Sequence, residues 1–220
     1  MDALQQYFIT RKFRDYAKHE LIEILEMKIN ITSEHIKIMK NNYFSHKHNY
    51  NIISLFEKYG FVFTDDDYKQ ILNKSGLFIC DIPKIKQTDE LCTIAVKENG
   101  WALEYISEDK KTDKLCEIAV RQNGSILQHV PEDKKTDQLC EIAVRQNGYG
   151  YVLNYVPKNK QTYDLCKIAV QQKGWSLKYV PDDIKTDELC KIAVKQDGES
   201  IYFVPPNKRY LFIKNKIDNI

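Results

Sequence analysis

Five of the six cysteines recur at a fixed spacing, and thiols have a wider chemical scope than most side chains in this chain. They are Cys92, Cys116, Cys140, Cys166 and Cys190. Thiolates can bind zinc, but a zinc site needs ligands that converge on one point. A disulfide needs Cα atoms within about 7 Å, whereas packed helices lie about 8–10 Å apart. Since Leu, Ile, Ala and Val flank each cysteine, we predict small, buried apolar groups.

Two other clusters could bind metal, and neither offers a complete set of ligands. His46 and His48 form an H-x-H pair with no further ligand at a convincing spacing. The acidic run at residues 65–67 lacks the alternating oxygen ligands and the glycine of a calcium loop, so helix capping explains it better. His129 replaces a tyrosine of the repeat and is expected to be structural. Because no phosphate-binding loop, nucleophile elbow or Cys–His pair occurs, we expect no metal, no cofactor and no enzymatic activity.

Charged residues also recur once in most repeats. A basic row contains Lys97, Arg121, Arg145 and Lys195, with Gln171 interrupting it, and an acidic row contains Asp89, Asp113, Asp137 and Asp187. One cation per repeat could follow a phosphate backbone. Acids at helix N-termini and bases at C-termini are, however, what the helix dipole favours. The net charge of +2 also argues against nucleic acid as the partner, so we predict a structural role for both rows.

These residues belong to a unit that repeats every 24 residues, with one step of 26 where an extra Tyr149–Gly150 pair occurs. The unit reads T-D-x-L-C-x-I-A-V-x-x-N-G, followed by a short apolar stretch and V-P. It opens on Thr88, Thr112, Thr136, Thr162 and Thr186, and its glycines are Gly100, Gly124, Gly148, Gly174 and Gly198. A fixed period in this range is the signature of a stacked repeat protein.

The unit at residues 186–198 shows how each repeat should fold. Thr186 is a good helix N-cap, and the apolar residues after it form a broad stripe at helical spacing. Gly198 is predicted to close the helix, of about eleven residues, in the left-handed conformation. The stretch at 175–181 favours a second helix of one or two turns that Pro181 ends, with a β-strand as the competing interpretation.

The register extends beyond the five clear copies. A degenerate unit begins at Thr64, and the next step after Thr186 reaches Tyr210 without a cap or glycine. We therefore predict an all-α solenoid of about six helix–turn–short-helix units over residues 61–206, with a capping helix over 207–220. Residues 1–60 do not keep the period and form either a helical N-terminal cap, which we favour, or a small separate module.

Bulk properties indicate a soluble intracellular protein. The N-terminus has no signal-peptide pattern, and no stretch approaches 18 apolar residues. Unpaired cysteines fit a reducing compartment. These features leave the oligomeric state open.

The A-V-x-Q-N-G core and the L-x-Y-V-P second half resemble the giant-virus, mimivirus-like repeat known as domain of unknown function 4116. The matching segments are IAVKENGWALEYI, IAVRQNGSILQHVP, IAVRQNGYGYVLNYVP, IAVQQKGWSLKYVP and IAVKQDGESIYFVP. Tyr163 in place of aspartate and the Tyr149–Gly150 insertion depart from the pattern. The resemblance implies an intracellular helical protein of large DNA viruses, with no established activity and no catalytic residues to transfer.

The positions just after each glycine vary most and often carry aromatic rings. We name Trp101, Tyr149, Tyr151 and Trp175 as candidate partner-contact residues, because exposed Trp and Tyr anchor many interfaces. The alternative is that these rings only fill the core. The sequence thus favours a protein-interaction scaffold or adaptor with a host or viral partner. A structural component of the virus particle and a nucleic-acid-associated protein are the alternatives.

Overall fold

The computed structural model describes residues 53, 57, 62–146 and 150–212. It contains α-helices and 3₁₀ helices and, within those ranges, no strand. The chain divides into two compact units, Met1–Glu98 and Asn99–Ile220. The predicted all-α repeat fold is confirmed, although most of the predicted N-terminal cap and residues 213–220 of the C-terminal cap lie outside the described residues. The proposed domain boundaries therefore stay predictions.

Each repeat consists of a ten-residue α-helix, a long 3₁₀ helix and, in most repeats, a single 3₁₀ turn. The α-helices are α1 (Asp65–Lys74), α2 (Asp89–Glu98), α3 (Asp113–Gln122), α4 (Asp137–Gln146), α5 (Tyr163–Gln172) and α6 (Asp187–Gln196). The long 3₁₀ helices are Gly76–Asp81, Gly100–Tyr105, Gly124–His129, Tyr151–Tyr155, Gly174–Tyr179 and Gly198–Phe203. The short ones are Lys84–Lys86, Glu108–Lys110, Glu132–Lys134, Lys158–Lys160 and Pro206–Lys208. Residues 210–212 are again helical.

Threonine begins the α-helices as predicted. The Thr112 hydroxyl accepts a hydrogen bond from the Leu115 backbone N–H at 3.2 Å. The same bond forms at Thr88, Thr136, Thr162 and Thr186. Thr64 forms a full capping box with Asp67, which confirms the degenerate first unit. Each cap satisfies one of the backbone donors that a helix N-terminus leaves open.

The predicted way in which the helices end is wrong. After α3 the chain becomes extended at Asn123 (φ −154°), and Gly100, Gly124, Gly174 and Gly198 do not adopt positive φ. Gly148 lies outside the described residues. The Asn123 side chain instead accepts a hydrogen bond from the Ser125 N–H and so caps the following 3₁₀ helix. Gly150, at the insertion, is the one described glycine with positive φ, at 78°.

Close packing explains the repeat glycine better than backbone freedom does. A Cβ atom on Gly124 would overlap the backbone carbonyl oxygen of Ala143, and one on Gly76 would overlap that of Ala95. A Cβ on Gly174 would lie 2.5 Å from the carbonyl oxygen of Ala193. At these three positions the glycine therefore lets the start of the 3₁₀ helix rest directly on the backbone of the next α-helix.

The second half of the repeat is helical, as predicted, but its helix is of the 3₁₀ type. Gly124–His129 spans six residues and ends where the Val130 N–H bonds the Leu127 carbonyl at 3.2 Å. The competing β-strand is not found in the described part of the chain. A 3₁₀ helix has three residues per turn and rises about 2 Å per residue, so it suits a short connection.

The repeats of the unit 99–220 stack in two layers. Helix α3 contacts α4, α4 contacts α5, and α5 contacts α6, while the long 3₁₀ helices contact one another in the same order. The core between the layers is filled by Leu, Cys, Ala and Val of the α-helices and by apolar residues of the 3₁₀ helices. In the unit 1–98, α1 packs against α2 and against Gly76–Asp81.

A glutamine at the end of α3 and of α6 links neighbouring repeats. The Gln122 side-chain oxygen accepts a hydrogen bond from the Gly100 N–H at 2.7 Å, and Gln196 binds the Gly174 N–H in the same way. The Gln196 amide also donates to the Gln172 carbonyl at 3.1 Å. These bonds satisfy backbone N–H and C=O groups that would otherwise lack a hydrogen-bond partner where an α-helix gives way to a 3₁₀ helix.

The cysteine prediction is confirmed. All five repeat cysteines are buried and outside any disulfide, and Cys80, which is also in no disulfide, is half-buried. Burial raises the pKa of Cys116, Cys140 and Cys166 to about 11. The Cys140 thiol donates weakly to the Lys135 carbonyl at 3.8 Å, so it behaves as a small core group.

The six thiols should react slowly while the protein is folded. Burial raises the pKa of Cys116 and Cys140 to about 11, so these thiols form far less reactive thiolate at pH 8 than unfolded thiols, whose pKa is 9.0. The corresponding stability is complete below pH 9 and is lost as the pH rises towards 11. Mass spectrometry after iodoacetamide treatment at pH 8 should find almost no labelling of native protein and full labelling in urea. Rapid native labelling of any repeat cysteine would contradict its burial.

None of the described helices is long and apolar enough to cross a bilayer.

Candidate partner-contact surface

Two rows of side chains line the layer of 3₁₀ helices in the unit 99–220. The first row takes the residue that follows the glycine, and the second takes the last residue of the long 3₁₀ helix. The first row is Trp101, Ser125, Tyr151, Trp175 and Glu199, and the second is Tyr105, His129, Tyr155, Tyr179 and Phe203. We call the eight ring-bearing members of the two rows the aromatic strip.

Rings of the strip pack edge-on across the joints between repeats. The Trp101 and His129 centroids lie 5.7 Å apart at an interplanar angle of 73°. Trp175 and Phe203, which occupy the equivalent positions in the last two clear repeats, lie 5.0 Å apart at 74°. Edge-to-face contacts at these distances are favourable, so the rings are held in defined positions.

Tyr151 is held from both sides. Its hydroxyl forms a hydrogen bond of 2.7 Å with the Ser125 hydroxyl, and its ring lies edge-on to Tyr155 with centroids 6.1 Å apart. Ser125 is buried, so the first row presents no aromatic ring at this repeat. The insertion also shifts the register, because Tyr151 after Gly150 takes the position that Trp101 and Trp175 have elsewhere.

The sequence left open whether the candidate rings are buried in the core or exposed at the surface. In the structure the three described rings are partly exposed. Trp101 and Tyr151 are half-buried, and Trp175 is 40% exposed. Tyr149 lies outside the described residues. The structure therefore brings three of the four candidates onto one face, and whether a partner binds there stays a prediction.

Sequence reasoning missed the second row. Its members are all half-buried and alternate with exposed neighbours such as Gln128 and Lys178. The signal was present in the tyrosine of L-x-Y-V-P, which keeps one place in the repeat.

His129 lies at the centre of a polar cluster in the strip. Burial lowers its pKa, although Glu104, 4.0 Å away, acts in the opposite direction. The Lys111 ammonium donates to the His129 backbone carbonyl at 2.9 Å and to Glu108 at 2.7 Å. Since its pKa is below the usual 6.5, His129 is neutral at pH 7 and packs against Trp101 as an uncharged ring.

The residue before each repeat threonine is polar and buried, which the sequence pattern did not suggest. Where it is glutamine, its amide donates to two carbonyls of the preceding long 3₁₀ segment, as Gln161 does to Leu153 at 2.7 Å and Val156 at 3.0 Å. Where it is lysine, its ammonium pairs with an acid three residues earlier. The glutamines are Gln87 and Gln161, and the lysine pairs are Lys111–Glu108, Lys135–Glu132 and Lys185–Asp182.

In all five repeats, the charge of the residue three positions earlier matches the choice between lysine and glutamine before the threonine. Lysine follows Glu108, Glu132 and Asp182, whereas glutamine follows Lys84 and Lys158. A buried ammonium is costly without a carboxylate partner. The repeats that lack the acid therefore use a neutral side chain.

Five members of the two charge rows form ion pairs within one helix or within one repeat. Arg121 pairs with Glu117 and Arg145 with Glu141, each at 2.7 Å. The aspartates bind the lysine that ends the same repeat, in the pairs Asp113–Lys134, Asp137–Lys160 and Asp187–Lys208. These contacts support the structural interpretation of both rows.

One repeat replaces both members of that pair. Tyr163 stands where the others have aspartate, and Ile184 stands where they have lysine. The Tyr163 hydroxyl donates instead to Glu188 at 3.1 Å, and the Lys167 ammonium lies 5.7 Å from its ring centre. These contacts of Tyr163 take the place of the aspartate–lysine ion pair that this repeat lacks.

The described residues include no group of three or more His, Cys, Asp or Glu side chains that could hold a metal ion. The grooves between α3 and α4 and between α4 and α5 are open and lined by paired charges such as Lys160 and Arg145. The aromatic strip is therefore the surface whose composition best fits a partner.

Alternating α-helices and 3₁₀ helices in stacked units define this chain as a tandem helical-repeat protein. A family model described as Domain of unknown function (DUF4116) matches residues 114–159 and 162–207, about two fifths of the chain. Each match spans almost two of the 24-residue repeats, so the family unit contains two α-helix and 3₁₀-helix pairs. No curated protein and no solved structure matches the chain. The chain thus contains a tandem-repeat domain of unknown function.

Proposed function

We propose that this chain is a non-enzymatic interaction scaffold or adaptor that binds a protein partner through the aromatic strip. The observation that carries the proposal is the edge-on packing of partly exposed rings, seen in Trp175 against Phe203 and in Trp101 against His129. A ring that is fixed before binding loses little conformational entropy when a partner covers it. Trp and Tyr are also the residues that most often dominate interface energies.

The setting we propose is the interior of a cell infected by a large DNA virus, with a viral or host protein as partner. The viral setting rests on the resemblance of the repeats to those of giant viruses. The intracellular setting is supported by six cysteines that form no disulfide, since an oxidising compartment would tend to pair them. A structural role in the virus particle and association with nucleic acid are the competing functions.

Replacing Trp175 by alanine should reduce binding of the partner at least tenfold, about 1.4 kcal/mol, because an anchoring ring is removed. Tyr163→Ala is the matched control, since it removes a half-buried ring from the α-helical layer of the same unit. The tagged full chain and both variants would be captured from infected cells, and the bound proteins compared by quantitative mass spectrometry.

The proposal requires a discrete protein that is retained by Tyr163→Ala and lost from Trp175→Ala. Equal retention by both variants would exclude the strip as the contact surface. Recovery of particle proteins alone would support the structural role, and salt-sensitive recovery of DNA or RNA would support the nucleic-acid role.

A further inference from the structure

The extra Tyr149–Gly150 pair lies at one joint between repeats, where the 24-residue step becomes 26. We call the contact between segments 136–161 and 162–185 the inserted joint, and the contact between segments 162–185 and 186–209 the next joint. The inserted joint brings α4 against α5, and the next joint brings α5 against α6. Because the two joints share α5, their contacts can be compared position by position.

The glycine contact is altered at the inserted joint. At the next joint, a Cβ atom on Gly174 would lie 2.5 Å from the backbone carbonyl oxygen of Ala193, so the chain rests on the backbone of α6. Gly150 instead has its nearest neighbours in the side chains of Lys173 and Ser176, and its φ is 78°. The 3₁₀ helix that follows Gly150 therefore starts on side chains beyond the end of α5.

The glutamine link is incomplete at the inserted joint. Gln196, at the end of α6, accepts a hydrogen bond from the Gly174 N–H and donates one to the Gln172 carbonyl at 3.1 Å. Gln172, at the end of α5, donates to the Arg145 carbonyl at 3.2 Å, but its buried side-chain oxygen has no hydrogen-bond partner among the described residues. A buried acceptor without a partner lowers the stability of the contact it belongs to.

An ion pair that holds α5 to α6 has no counterpart between α4 and α5. The Lys167 ammonium, at the fifth position of α5, lies 2.8 Å from Glu188, at the second position of α6. The same two positions of the inserted joint are Glu141 and Asp164, which line one groove. Glu141 pairs within α4 with Arg145, and Asp164 forms no ion pair in the described ranges. Two carboxylates at these positions disfavour close approach of the helices.

The groove over the inserted joint is also more spacious than the one before it. The α4–α5 groove has a volume of about 410 Å³, whereas the α3–α4 groove has about 200 Å³. The larger groove agrees with the weaker contacts between α4 and α5. Backbone packing, hydrogen bonding and charge thus all point to the same joint.

We propose that the inserted joint is a hinge at which the array opens before its single repeats unfold. In a stacked repeat protein each repeat contacts only its neighbours, so stability is a sum of repeat terms and interface terms. A weak interface therefore divides the array into blocks that open separately. The first block is 99–161 and the second is 162–209. The hinge is a property of the array and does not depend on the proposed partner.

The hinge divides the aromatic strip between the two blocks. Tyr151 and Tyr155 belong to the first block, and Trp175 and Phe203 belong to the second. Opening the hinge changes the distance between Tyr151 and Trp175, while the ring contact inside the second block is kept. The array can thereby change the spacing of its rings without unfolding a repeat.

Pulsed hydrogen exchange of the full chain across a urea series, read by mass spectrometry, tests the hinge. Peptides from α3 and α4 should lose protection at a urea concentration that differs from that of α5 and α6 by about 0.5 M or more. Deletion of Tyr149 and Gly150 restores the 24-residue step. In this variant the two midpoints should merge, because the glycine and Gln172 regain the contacts of the next joint.

A second variant tests the hinge without changing the chain length. Glu141→Lys, Arg145→Gln and Asp164→Glu together copy the residues that occupy the equivalent places of the next joint, Lys167, Gln171 and Glu188. The separation between the midpoints should shrink. The reverse exchange, Lys167→Glu, Gln171→Arg and Glu188→Asp, is the matched control and should make α6 lose protection apart from α5.

A single transition shared by α3 to α6 in the unaltered chain would overturn the hinge. Separate transitions that persist unchanged in both the deletion and the triple variant would overturn it as well, since the blocks would then differ for reasons outside the inserted joint. Merging of the midpoints in either variant supports the hinge, and the triple variant decides the question if the deletion does not fold.

Discussion

Replacing Gly124 by alanine is expected to lower the free energy of unfolding by about 3 kcal/mol, at the upper end of the cost of overpacking. The added methyl group would overlap the Ala143 carbonyl oxygen and lie 2.9 Å from its carbonyl carbon. Both are backbone atoms of α4, so no side-chain rotation can relieve the contact. The joint between two repeats must open, and the hydrogen bonds along it weaken together.

Gly198 provides the matched control, because it holds the same place in the last clear repeat. No atom of the described residues lies within 4 Å of a Cβ atom added there, and its φ is not positive. Gly198→Ala should therefore raise the free energy of unfolding by about 0.4–1 kcal/mol, since alanine restricts the unfolded chain. Urea denaturation of both variants measures the two effects, and the same sign at both sites would refute packing as the reason for the glycine.

Gln161→Lys should destabilise the protein by about 3 kcal/mol, the cost of leaving a buried charge without its partner. Gln161 is 2% exposed, and its amide bonds two carbonyls that a lysine could not satisfy in the same geometry. The residue three positions earlier is Lys158, so the new ammonium would meet a second cation rather than the carboxylate found beside Lys111.

Adding Lys158→Glu to that variant should recover most of the loss, because it recreates the pair seen between Lys111 and Glu108. Lys135→Gln serves as the control and should be nearly neutral, since it copies the arrangement at Gln161. Chemical denaturation of the single and double variants gives the coupling energy, which should reach about 1–3 kcal/mol. Additive effects would show that the match between these positions has no energetic basis.

The parts of the fold that depend on local chemistry could be predicted from the sequence. Thr112 caps its helix because its hydroxyl lies three residues from a free N–H, and Cys116 is buried because its neighbours are apolar. Both features can be predicted from the sequence of a single repeat. The stacking followed from the period alone, since a single repeat cannot bury its own apolar faces.

The parts that depend on the neighbouring repeat could not be predicted. Gly124 has a sequence context typical of a left-handed helix end, and only the position of Ala143 reveals why a side chain is excluded. For the contact surface, Trp101 was recognisable as a variable aromatic residue, but its ring partner His129 lies in the next repeat.

The paired substitutions have a consequence for how such an array can lengthen. Each compensating pair lies inside one segment that runs from a threonine to the residue before the next, as Glu108–Lys111 lies within 88–111 and Tyr163–Ile184 within 162–185. The contacts of the glycine, of the alanine beneath it and of the glutamine cross segment borders, and so do contacts of varying side chains, such as those of Tyr163 and Lys167 with Glu188. A gene segment encoding one such stretch therefore carries its own match between the residue before the threonine and the residue three positions earlier, wherever the stretch is duplicated or moved.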